Sequence, residues 1–226
     1  MTNPAVNRTL RDKAAQRRLL LRLGRIVTCP TPLYRAFKCA TYAENFIDRG
    51  DLRLGLLQTY QELEDKCRAD KSEGLGHYVD AEGTSEHFQS GNVTYILCLS
   101  GPDVDRSYIA SKFGSIIVRV GDPCQLAKDI QVALENLGIK LFGGVRCAQV
   151  EYSKGLPKHQ DLNASDRWKL AVLQKPPSFS CESEVRIVAV LNTPPGKVRC
   201  DYLHLKLPAP PQYATIEPAV GTTIVK

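Results

Sequence analysis

Alternating charged residues in segment 181–188 are the most pointed chemical feature of the sequence, which reads CESEVRIV there. On a strand, every second side chain lies on the same face at a spacing of about 7 Å, so Glu182, Glu184 and Arg186 would share one face. Two carboxylates at this spacing can take two different roles in one reaction. One stabilises a developing oxocarbenium ion or holds a sugar hydroxyl, and the other orients the attacking nucleophile. The alternative is a charge ladder at a sheet edge, in which Arg186 neutralises Glu184.

Arg35 is the second candidate, because it lies inside the segment that reads as the first strand. An arginine is seldom buried without a partner, and its guanidinium can bind a phosphate through two parallel hydrogen bonds. The residue could therefore hold the phosphates of a ligand, or it could bond Glu184 across the sheet. Ser100 is the third candidate, at the end of the most apolar strand, where its alternative role is in the turn before the Gly-Pro pair.

An acidic cluster between residues 64 and 73 could instead hold a divalent metal ion. Four carboxylates lie within these ten residues, and Glu64, Asp65 and Asp70 are the candidate ligands of a metal-dependent nuclease. Cations interleave with the acids, however, and Glu64 with Arg68 forms an ordinary i,i+4 pair at a solvated helix end. The four histidines are far apart in the sequence, so they predict no metal site.

The eight cysteines are also widely spaced, and no two lie within nine residues of each other. This spacing excludes the C-x-x-C half-site of zinc and redox proteins. The amino terminus lacks the apolar core and the small-residue cleavage site of a secretory signal. No apolar run reaches the roughly 18 residues that a membrane-spanning helix needs. We therefore expect a cytoplasmic protein with reduced thiols and no transmembrane segment.

The net charge of +6 comes from one end of the chain. Residues 1–27 contain seven cations and one anion, and the remaining 199 residues are neutral overall. Residues 7–23 contain no proline and suit a helix with Gly24 as its stop. At a rotation of about 100° per residue, four arginines fall within one stripe of this segment. We call them the arginine stripe: Arg11, Arg18, Arg22 and Arg25.

This basic segment has several alternative roles. It could dock on nucleic acid, on an anionic membrane surface or on an acidic protein partner. It could also be a solvated extension of its own domain, or an organelle transit peptide. Because the rest of the chain is neutral, the excess charge bears on docking and says nothing about catalysis.

Hydrophobic periodicity predicts one α+β domain over residues 28–226, preceded by a basic helical extension over residues 1–27. Strands and helices mix without a regular βαβ alternation, which favours a mixed or antiparallel sheet with flanking helices. An extended Pro-rich tail is expected from about residue 208. The predicted strands cover residues 33–37, 51–54, 93–99, 115–120, 184–191 and 198–207. The predicted helices cover 40–49, 56–67, 123–137 and 162–174, with a polar loop over 68–91 and a hairpin over 139–153.

The order of short motifs along residues 33–190 is similar to that of known groups of proteins. The motifs are Tyr-Arg at residue 34, Glu-Asp-x-x-Arg-x-Asp-x-x-Glu-Gly at 64, Cys-Leu-Ser at 98, Phe-Gly at 113 and Glu-x-Glu-x-Arg at 182. In this order they resemble a loose group of bacterial and phage proteins of largely unassigned activity. More weakly, the order Arg, Ser, Glu-x-Glu is similar to the arginine–serine–glutamate class of ADP-ribosyltransferases. That class usually shows Ser-Thr-Ser where this chain has Leu-Ser-Gly at residues 99–101.

The weaker resemblance implies an ADP-ribosyltransferase-like fold with NAD as a substrate. Carried over to the matching positions, Arg35 would bind NAD with Tyr34 beside it, and Ser100 would shape the pocket. Glu184 would be the catalytic residue that holds the nicotinamide ribose, and Glu182 would help to activate the acceptor. Cleavage of the glycosidic bond of NAD builds positive charge on the ribose, which a fixed carboxylate stabilises more in the transition state than in the ground state.

The implied function is ADP-ribosyl transfer from NAD to a nucleic acid or protein acceptor, by a toxin-like or phage-defence effector. The resemblance also allows an antitoxin-like partner. Two alternatives stay open from the residues themselves. One is a non-enzymatic interaction protein that docks through its basic helix, and the other is the metal-dependent nuclease.

Overall fold

A computed structural model describes residues 29–61, 75–79, 85–89, 93–152, 156–157, 171–192 and 200–218. The predicted basic helix of residues 1–27 and the acidic cluster of residues 64–73 lie outside these ranges. None of the helices in the described part has the length and apolarity needed to cross a membrane.

Thirteen strands and three complete α-helices make up most of the regular structure of the described residues. The strands are β1 (Leu33–Phe37), β2 (Asp51–Leu56), β3 (Leu75–Val79), β4 (Ser85–Gln89), β5 (Thr94–Ser100), β6 (Ile116–Val120), β7 (Leu141–Gln149), β8 (Glu151–Tyr152), β9 (Leu156–Pro157), β10 (Gln174–Lys175), β11 (Glu184–Leu191), β12 (Tyr202–Lys206) and β13 (Ala214–Ile216). The α-helices are α1 (Ala40–Arg49), α2 (Arg106–Phe113) and α3 (Pro123–Asn136). Short 3-10 helices cover Leu57–Gln61 and Pro177–Glu182, and residues 171–173 are helical.

Eight of these strands form the central sheet, in which all of the pairings are antiparallel. β5 and β11 pair along their whole length, from Glu184 opposite Ser100 to Val190 opposite Thr94. β7 extends the sheet beyond β11, β12 lies beyond β2, and β6 and β13 lie beyond β1. The prediction of an α+β fold on a mixed or antiparallel sheet with flanking helices is confirmed. Two small sheets, β8–β10 and β4–β3–β9, include parallel pairs.

The edge of β5 opposite β11 carries two strands instead of one, and this opens a fork in the sheet. β1 pairs with the carboxyl end of β5, where Tyr34 is opposite Ser100. β2 pairs with the same edge further back, where Gly55 is opposite Ile96. Between these contacts, residues 97–99 have a partner only in β11 among the described strands. Since N–H and C=O groups of an antiparallel strand alternate between its two edges, part of the β5 backbone faces the gap between β1 and β2.

Capping residues mark the ends of two of the helices. α3 begins at Pro123 after Asp122, whose carboxylate accepts a hydrogen bond from the backbone N–H of Gln125 (2.9 Å). α1 ends at Gly50, whose left-handed φ of 70° favours glycine. α2 is the helix that the sequence pattern does not predict. It is short, and the cap formed by Asp105 is a local signal without an apolar stripe to support it.

The two faces of the sheet bury different side chains. Alternate residues of β11, beginning with Val185, pack against α1 and α3 in the main core. The residues between them lie on the second face, where Val188 and Val190 join an apolar cluster with β5 and residues 172–173. Glu184 and Arg186 occupy the amino-terminal end of this second face. Every residue of the strand is buried, so the two charges lie within the sheet and not at its surface.

Two predicted segments differ from the structure in kind. The hairpin predicted over residues 139–153 is wrong, because β7 continues through Gly143 and Gly144, each with a φ of 77°. The predicted loop over residues 68–91 contains β3 and β4, which pair as an antiparallel hairpin. In both places the structure has strands where the sequence pattern predicts a turn or a loop.

Other differences concern boundaries. The helix predicted over residues 56–67 is a 3-10 helix at Leu57–Gln61 in its described part. The helix predicted over residues 162–174 is described only from residue 171, and it leads directly into β10. The tail from about residue 208 includes β13, which adds to the sheet by pairing with β6.

Cys29 and Cys147 form a disulfide between the segment before β1 and β7, across a sequence separation of 118 residues. The expectation that all thiols are reduced is therefore wrong for this pair. The other described cysteines are free thiols, and Cys98 is the one that reaches the site described next.

Candidate functional site

A cavity of about 320 Å³ opens at the fork between β1 and β2. Its volume is in the range of small-molecule sites. The five residues to which the transferase resemblance gives a role in NAD binding or catalysis line this one cavity: Tyr34, Arg35, Ser100, Glu182 and Glu184. They come from β1, from the end of β5 and from both sides of the start of β11. The fork therefore brings together residues that are up to 150 positions apart in the chain.

Glu184 is almost fully buried (4% exposed) and accepts hydrogen bonds on both carboxylate oxygens. Arg186 Nε donates to Oε1 (2.7 Å), and Lys175 Nζ donates to Oε2 (2.9 Å). The thiol of Cys98 is a further donor. Burial alone would raise the pKa of Glu184, but the charges of Arg186 and Lys175 and these hydrogen bonds hold it well below its usual range. The group is thus a fixed carboxylate at neutral pH.

The charge-ladder alternative is correct in one respect and wrong in another. Arg186 does neutralise Glu184, but β11 lies inside the sheet between β5 and β7 and not at an edge. Arg186 is completely buried, and its Nη1 also donates to the carbonyl of Val172. Because a buried ion pair is costly to desolvate and is seldom a net source of stability, its presence here favours a functional role.

Glu182 reaches the same cluster by a different route from the one predicted. It ends the 3-10 helix Pro177–Glu182 and is followed by Ser183 in the left-handed region, with a φ of 44°. The expectation that both glutamates lie on one strand is therefore wrong. The carboxylate of Glu182 nevertheless meets the cluster, because Lys175 Nζ lies 2.7 Å from its Oε2. Burial raises the pKa of Glu182, and the attraction of Lys175 offsets only part of that rise.

Ser100 lies at the junction of three strands, opposite Tyr34 of β1 and Glu184 of β11. The glycine after it allows a close approach to Ser183, since a Cβ on Gly101 would lie 2.8 Å from the Ser183 Oγ. The backbone N–H of Gly101 also donates to the carbonyl of Ser183 (2.7 Å). Gly101 therefore packs against Ser183, the residue that immediately precedes Glu184.

Lys175 is a central member of the site that sequence reasoning missed. Its ammonium group bridges Glu182 and Glu184 and lies 4.7 Å from the centroid of the Phe179 ring. It is held in place by the parallel pairing of β10 with β8, in which it is opposite Tyr152. The local sequence carries no signal for this contact, because a lone lysine before two prolines is typical of a surface turn.

Three further side chains near Glu184 are neutral hydrogen-bonding groups. The hydroxyl of Tyr152 accepts a hydrogen bond from the backbone N–H of Glu184 (2.7 Å), and burial raises its pKa. Burial also raises the pKa of Tyr60 and of the Cys98 thiol. At neutral pH these groups therefore act through hydrogen bonds and shape, not as nucleophiles or bases.

Gly55 of β2 makes room for Tyr60. A Cβ on Gly55 would lie only 2.6 Å from the Tyr60 hydroxyl oxygen and 2.9 Å from a ring carbon. Tyr60, in the 3-10 helix that follows β2, therefore packs back against the backbone of that strand and lines the cavity. The sequence gives no reason to single out this glycine, since the contact depends on the 3-10 helix and not on a turn.

Arg35 lines the cavity from β1 and has no hydrogen-bond or ion-pair partner among the described residues. Its Nη1 is buried and unpaired, and the guanidinium lies 5.1 Å from the centroid of the Phe37 ring. Burial lowers the pKa of Arg35 to about 10, so the group is still a cation at neutral pH. The alternative in which it bonds Glu184 is wrong here, because Glu184 is paired with Arg186 and Lys175. A ligand anion would satisfy the unpaired group.

The charged groups that line the cavity have a positive balance. Four of them cancel one another, and we call these the ionic quartet: Glu182, Glu184, Lys175 and Arg186. The other three are all cations: Arg35, Lys38 and Arg53. No carboxylate of the described chain forms an ion pair with any of these three. A concave site with this balance attracts anions, and arginine in particular suits phosphate.

Aromatic rings supply much of the remaining surface of the cavity. The rings belong to Tyr34, Phe37, Tyr42, Tyr60, Phe113 and Tyr202. The hydroxyl of Tyr34 accepts a hydrogen bond from Arg106 Nη2 (2.5 Å), which fixes the ring on the wall nearest α2. Rings and unpaired cations together suit a ligand that has both a planar group and phosphates.

Neither the metal hypothesis nor the basic helix is tested by this part of the structure. Within the described ranges, no three histidine, cysteine or acidic side chains come together as a metal site. The candidate nuclease ligands Glu64, Asp65 and Asp70 lie outside those ranges, as does the arginine stripe, and both stay predictions.

Comparisons of the chain with protein-family models, with curated proteins and with solved structures found no match. The structure is that of an α+β protein with a cationic, aromatic cavity at a fork in its sheet.

Proposed function

We propose that the protein is an NAD-dependent ADP-ribosyltransferase, which binds NAD in the fork cavity and transfers ADP-ribose to a nucleic acid or protein acceptor. One observation carries the proposal. The two strands that flank the carboxyl end of β5 place an unpaired cation, Arg35, and a carboxylate that is ionised at neutral pH, Glu184, in the same aromatic cavity. These are the two charges that the reaction requires.

The unpaired cations match the pyrophosphate of NAD. This group carries two negative charges, and Arg35 offers a buried N–H group that has no other acceptor among the described residues. Lys38 and Arg53 add positive charge from the exposed side of the same cavity. Hydrogen bonds to a charged group contribute about 1.5–3 kcal/mol each, so Arg35 is the expected affinity determinant for the phosphates.

The rings and the open edge of β5 match the nicotinamide. A planar pyridinium ring stacks favourably on aromatic side chains such as Tyr34, Phe37 and Tyr60. Its carboxamide has one donor and one acceptor group in the arrangement of a peptide, which suits the backbone groups of residues 97–99 that face the fork. This edge is short and enclosed, so a small amide fits it better than another strand.

Glu184 supplies the electrostatic part of the reaction. The bond between ribose C1′ and the nicotinamide nitrogen breaks, its electron pair stays with nicotinamide, and positive charge develops on the ribose. A carboxylate that is held by Arg186, Lys175 and Cys98 does not need to reorganise as that charge forms. Because it stays ionised at neutral pH, Glu184 stabilises the positive charge on the ribose and accepts a hydrogen bond from a ribose hydroxyl, but it does not act as a general acid.

Glu182 is the candidate base for the acceptor. The acceptor forms its new bond to C1′ and gives up one proton, which the carboxylate of Glu182 can accept. Burial raises the pKa of Glu182 above that of an ordinary glutamate, so it holds a proton more readily than Glu184 does. Two carboxylates with oppositely shifted pKa values can take two different roles in one site.

The test is release of nicotinamide from NAD together with NAD binding by calorimetry, using the full chain. We expect Glu184→Gln to reduce the rate by about 100-fold to 1000-fold and Arg35→Ala to weaken NAD binding by about 10-fold to 100-fold. Glu44→Gln and Arg49→Ala are matched controls, because both residues are exposed on α1 and neither lines the cavity. Circular dichroism of each variant checks that the fold is retained.

Absence of nicotinamide release by the wild type, with and without a cell extract as acceptor source, would count against the transferase. Activity that needs a divalent metal and no NAD would favour the nuclease. The role as a toxin-like or phage-defence effector, and an antitoxin-like partner, belong to this proposal through the resemblance described above. Both the effector role and the partner are supported only if the NAD assay shows transferase activity.

A non-enzymatic nucleotide-binding protein is the second candidate, and one observation favours it. Both oxygens of Glu184 are already engaged by cations, so its charge is balanced before any ligand binds. In that case NAD or another nucleotide binds, and Arg35→Ala weakens this binding. Nicotinamide is not released, and Glu184→Gln changes only the stability of the fold.

A further inference from the structure

Two tyrosines at the mouth of the cavity are exposed although they belong to regular elements. Tyr42, in the first turn of α1, is 66% exposed and is the most exposed large apolar side chain of the described residues. Tyr202, the first residue of β12, is 38% exposed. Both line the cavity, whereas the exposed aromatic Phe142 of β7 does not. Rings that contribute little to the core but surround an opening are suited to a planar group from outside.

Cations accompany these two rings. The guanidinium of Arg53 lies over Tyr202, 4.0 Å from the ring centroid. Lys38 is exposed at the same opening. The acid nearest in sequence to Arg53 on β2 is Asp51, and its carboxylate is engaged by Lys206 Nζ (3.0 Å). The positive charge of Lys38 and Arg53 at the opening is therefore not neutralised by the described protein, and it can attract the phosphates of NAD and those of a second ligand together.

We propose that this rim is a stacking platform for a single-stranded nucleic acid, and that such a strand is the acceptor. Exposed rings interleaved with unpaired cations are the usual means of binding single strands, because every base has a stacking face and every nucleotide a phosphate. The bases of a duplex are covered by their neighbours and do not fit. An acidic peptide would use Lys38 and Arg53 but would leave both tyrosines without a role.

The position of the platform connects it to the proposed transfer, on which this inference rests. Tyr42, Tyr202, Glu182 and Glu184 line one continuous cavity, so a strand whose bases stack at the rim can present a nucleotide to the ribose of NAD bound further inside. The new bond then joins a nitrogen or oxygen of the nucleotide to C1′. Nicotinamide leaves with the electron pair of the broken bond, and the proton of the acceptor goes to Glu182.

Fluorescence anisotropy with labelled 20-nucleotide strands tests the platform without NAD. We expect single-stranded DNA or RNA to bind more tightly than a DNA duplex. Comparison of the affinities for the DNA strand and the RNA strand shows which of the two nucleic acids the platform prefers. Tyr42→Ala and Tyr202→Ala should each weaken binding by about 5-fold to 100-fold, while the corresponding Phe variants retain it. Phe142→Ala is the control, since it removes an exposed ring that does not line the cavity.

Several results would overturn the platform. These are wild-type affinity in both Tyr→Ala variants, equal affinity for duplex and single strand, or no binding of single strands at all. With NAD labelled in its phosphate, transfer of label to proteins of an extract, at a rate that Tyr202→Ala does not change, would identify a protein acceptor instead. Strand binding without nicotinamide release would refute the transferase and leave the platform standing, so the two failures are distinguishable.

Discussion

The ion pair between Glu184 and Arg186 offers the sharpest test of how the ionic quartet is built. The perturbation is a double-mutant cycle with Glu184→Gln, Arg186→Met and the two together. The nitrogen and oxygen are 2.7 Å apart, which corresponds to an attraction of about 6 kcal/mol at an effective dielectric constant of 20. Desolvation of both groups offsets much of this attraction. Removal of one partner leaves the other charge buried, however, and costs about 3–5 kcal/mol.

We therefore expect each single variant to lose about 3–5 kcal/mol of unfolding free energy, measured by urea denaturation at pH 7. The double variant keeps a neutral cluster, because Lys175 and Glu182 still form a pair at 2.7 Å. Its loss should be smaller than the sum of the single losses by about 2 kcal/mol or more.

The exposed pair Lys206–Asp51 is the matched control for this cycle. Its atoms are 3.0 Å apart, close to the spacing in the buried pair, but the two side chains are 62% and 44% exposed. The cycle of Lys206→Met with Asp51→Asn should give a coupling below about 1 kcal/mol. A coupling in the buried pair as small as that of this control would show that Glu184 and Arg186 do not stabilise each other's charge within the ionic quartet.

Three further predictions follow from the site and the basic segment. Gly55→Ala should displace Tyr60, reduce the unfolding free energy by about 1–3 kcal/mol and weaken NAD binding. The double variant Gly55→Ala/Tyr60→Leu should recover part of the lost stability. An unchanged melting temperature in Gly55→Ala would contradict the contact between Gly55 and Tyr60. The lowered pKa of Glu184 means that it contributes stability above about pH 4.3, which is lost as the pH falls towards its folded-state pKa. Urea titrations from pH 7 to pH 3 should show a shallower pH dependence in Glu184→Gln, and an equal dependence would exclude Glu184 as its source. Replacement of the four arginines of the arginine stripe by glutamine should reduce the slope of single-strand affinity against log salt by about 3; an unchanged slope in the anisotropy assay would show that this segment does not dock the strand.

Strand periodicity allowed much of the site to be predicted from the sequence. The strand from Glu184 to Leu191 is where its alternating apolar residues placed it, and Arg35 lies in the strand read from residues 33–37. Both inferences depend on local runs of apolar, β-branched and aromatic residues, which favour strands. Both faces of β11 are buried, so the alternation there separates the charged residues of the cavity from the apolar residues of the main core. Neither the periodicity nor the motif order predicts that Arg35 and Glu184 meet in one cavity, because that depends on how distant strands pair.

Other parts of the site depend on contacts between distant segments, and these leave no local pattern. Lys175 reaches the two glutamates through a two-residue parallel pairing with β8. The fork depends on where β1 and β2 meet the edge of β5, which no residue in either strand specifies alone. The displacement of Glu182 from the strand depends on a left-handed serine, a conformation that sequence patterns seldom reveal.

The balanced charge of Glu184 is compatible with catalysis, because the reaction moves a positive charge and does not create one. In NAD the charge is on the pyridinium ring, and after cleavage it is on the ribose. A carboxylate therefore favours the transition state through its position, by lying closer to the ribose than to the ring, whatever the net charge of its surroundings. Arg186, Lys175 and the Tyr152 hydroxyl fix that position through the side chain and the backbone N–H of Glu184. A carboxylate free to move could follow the charge in both states and would discriminate less between them, so the rigidity of the quartet is what the proposed chemistry needs.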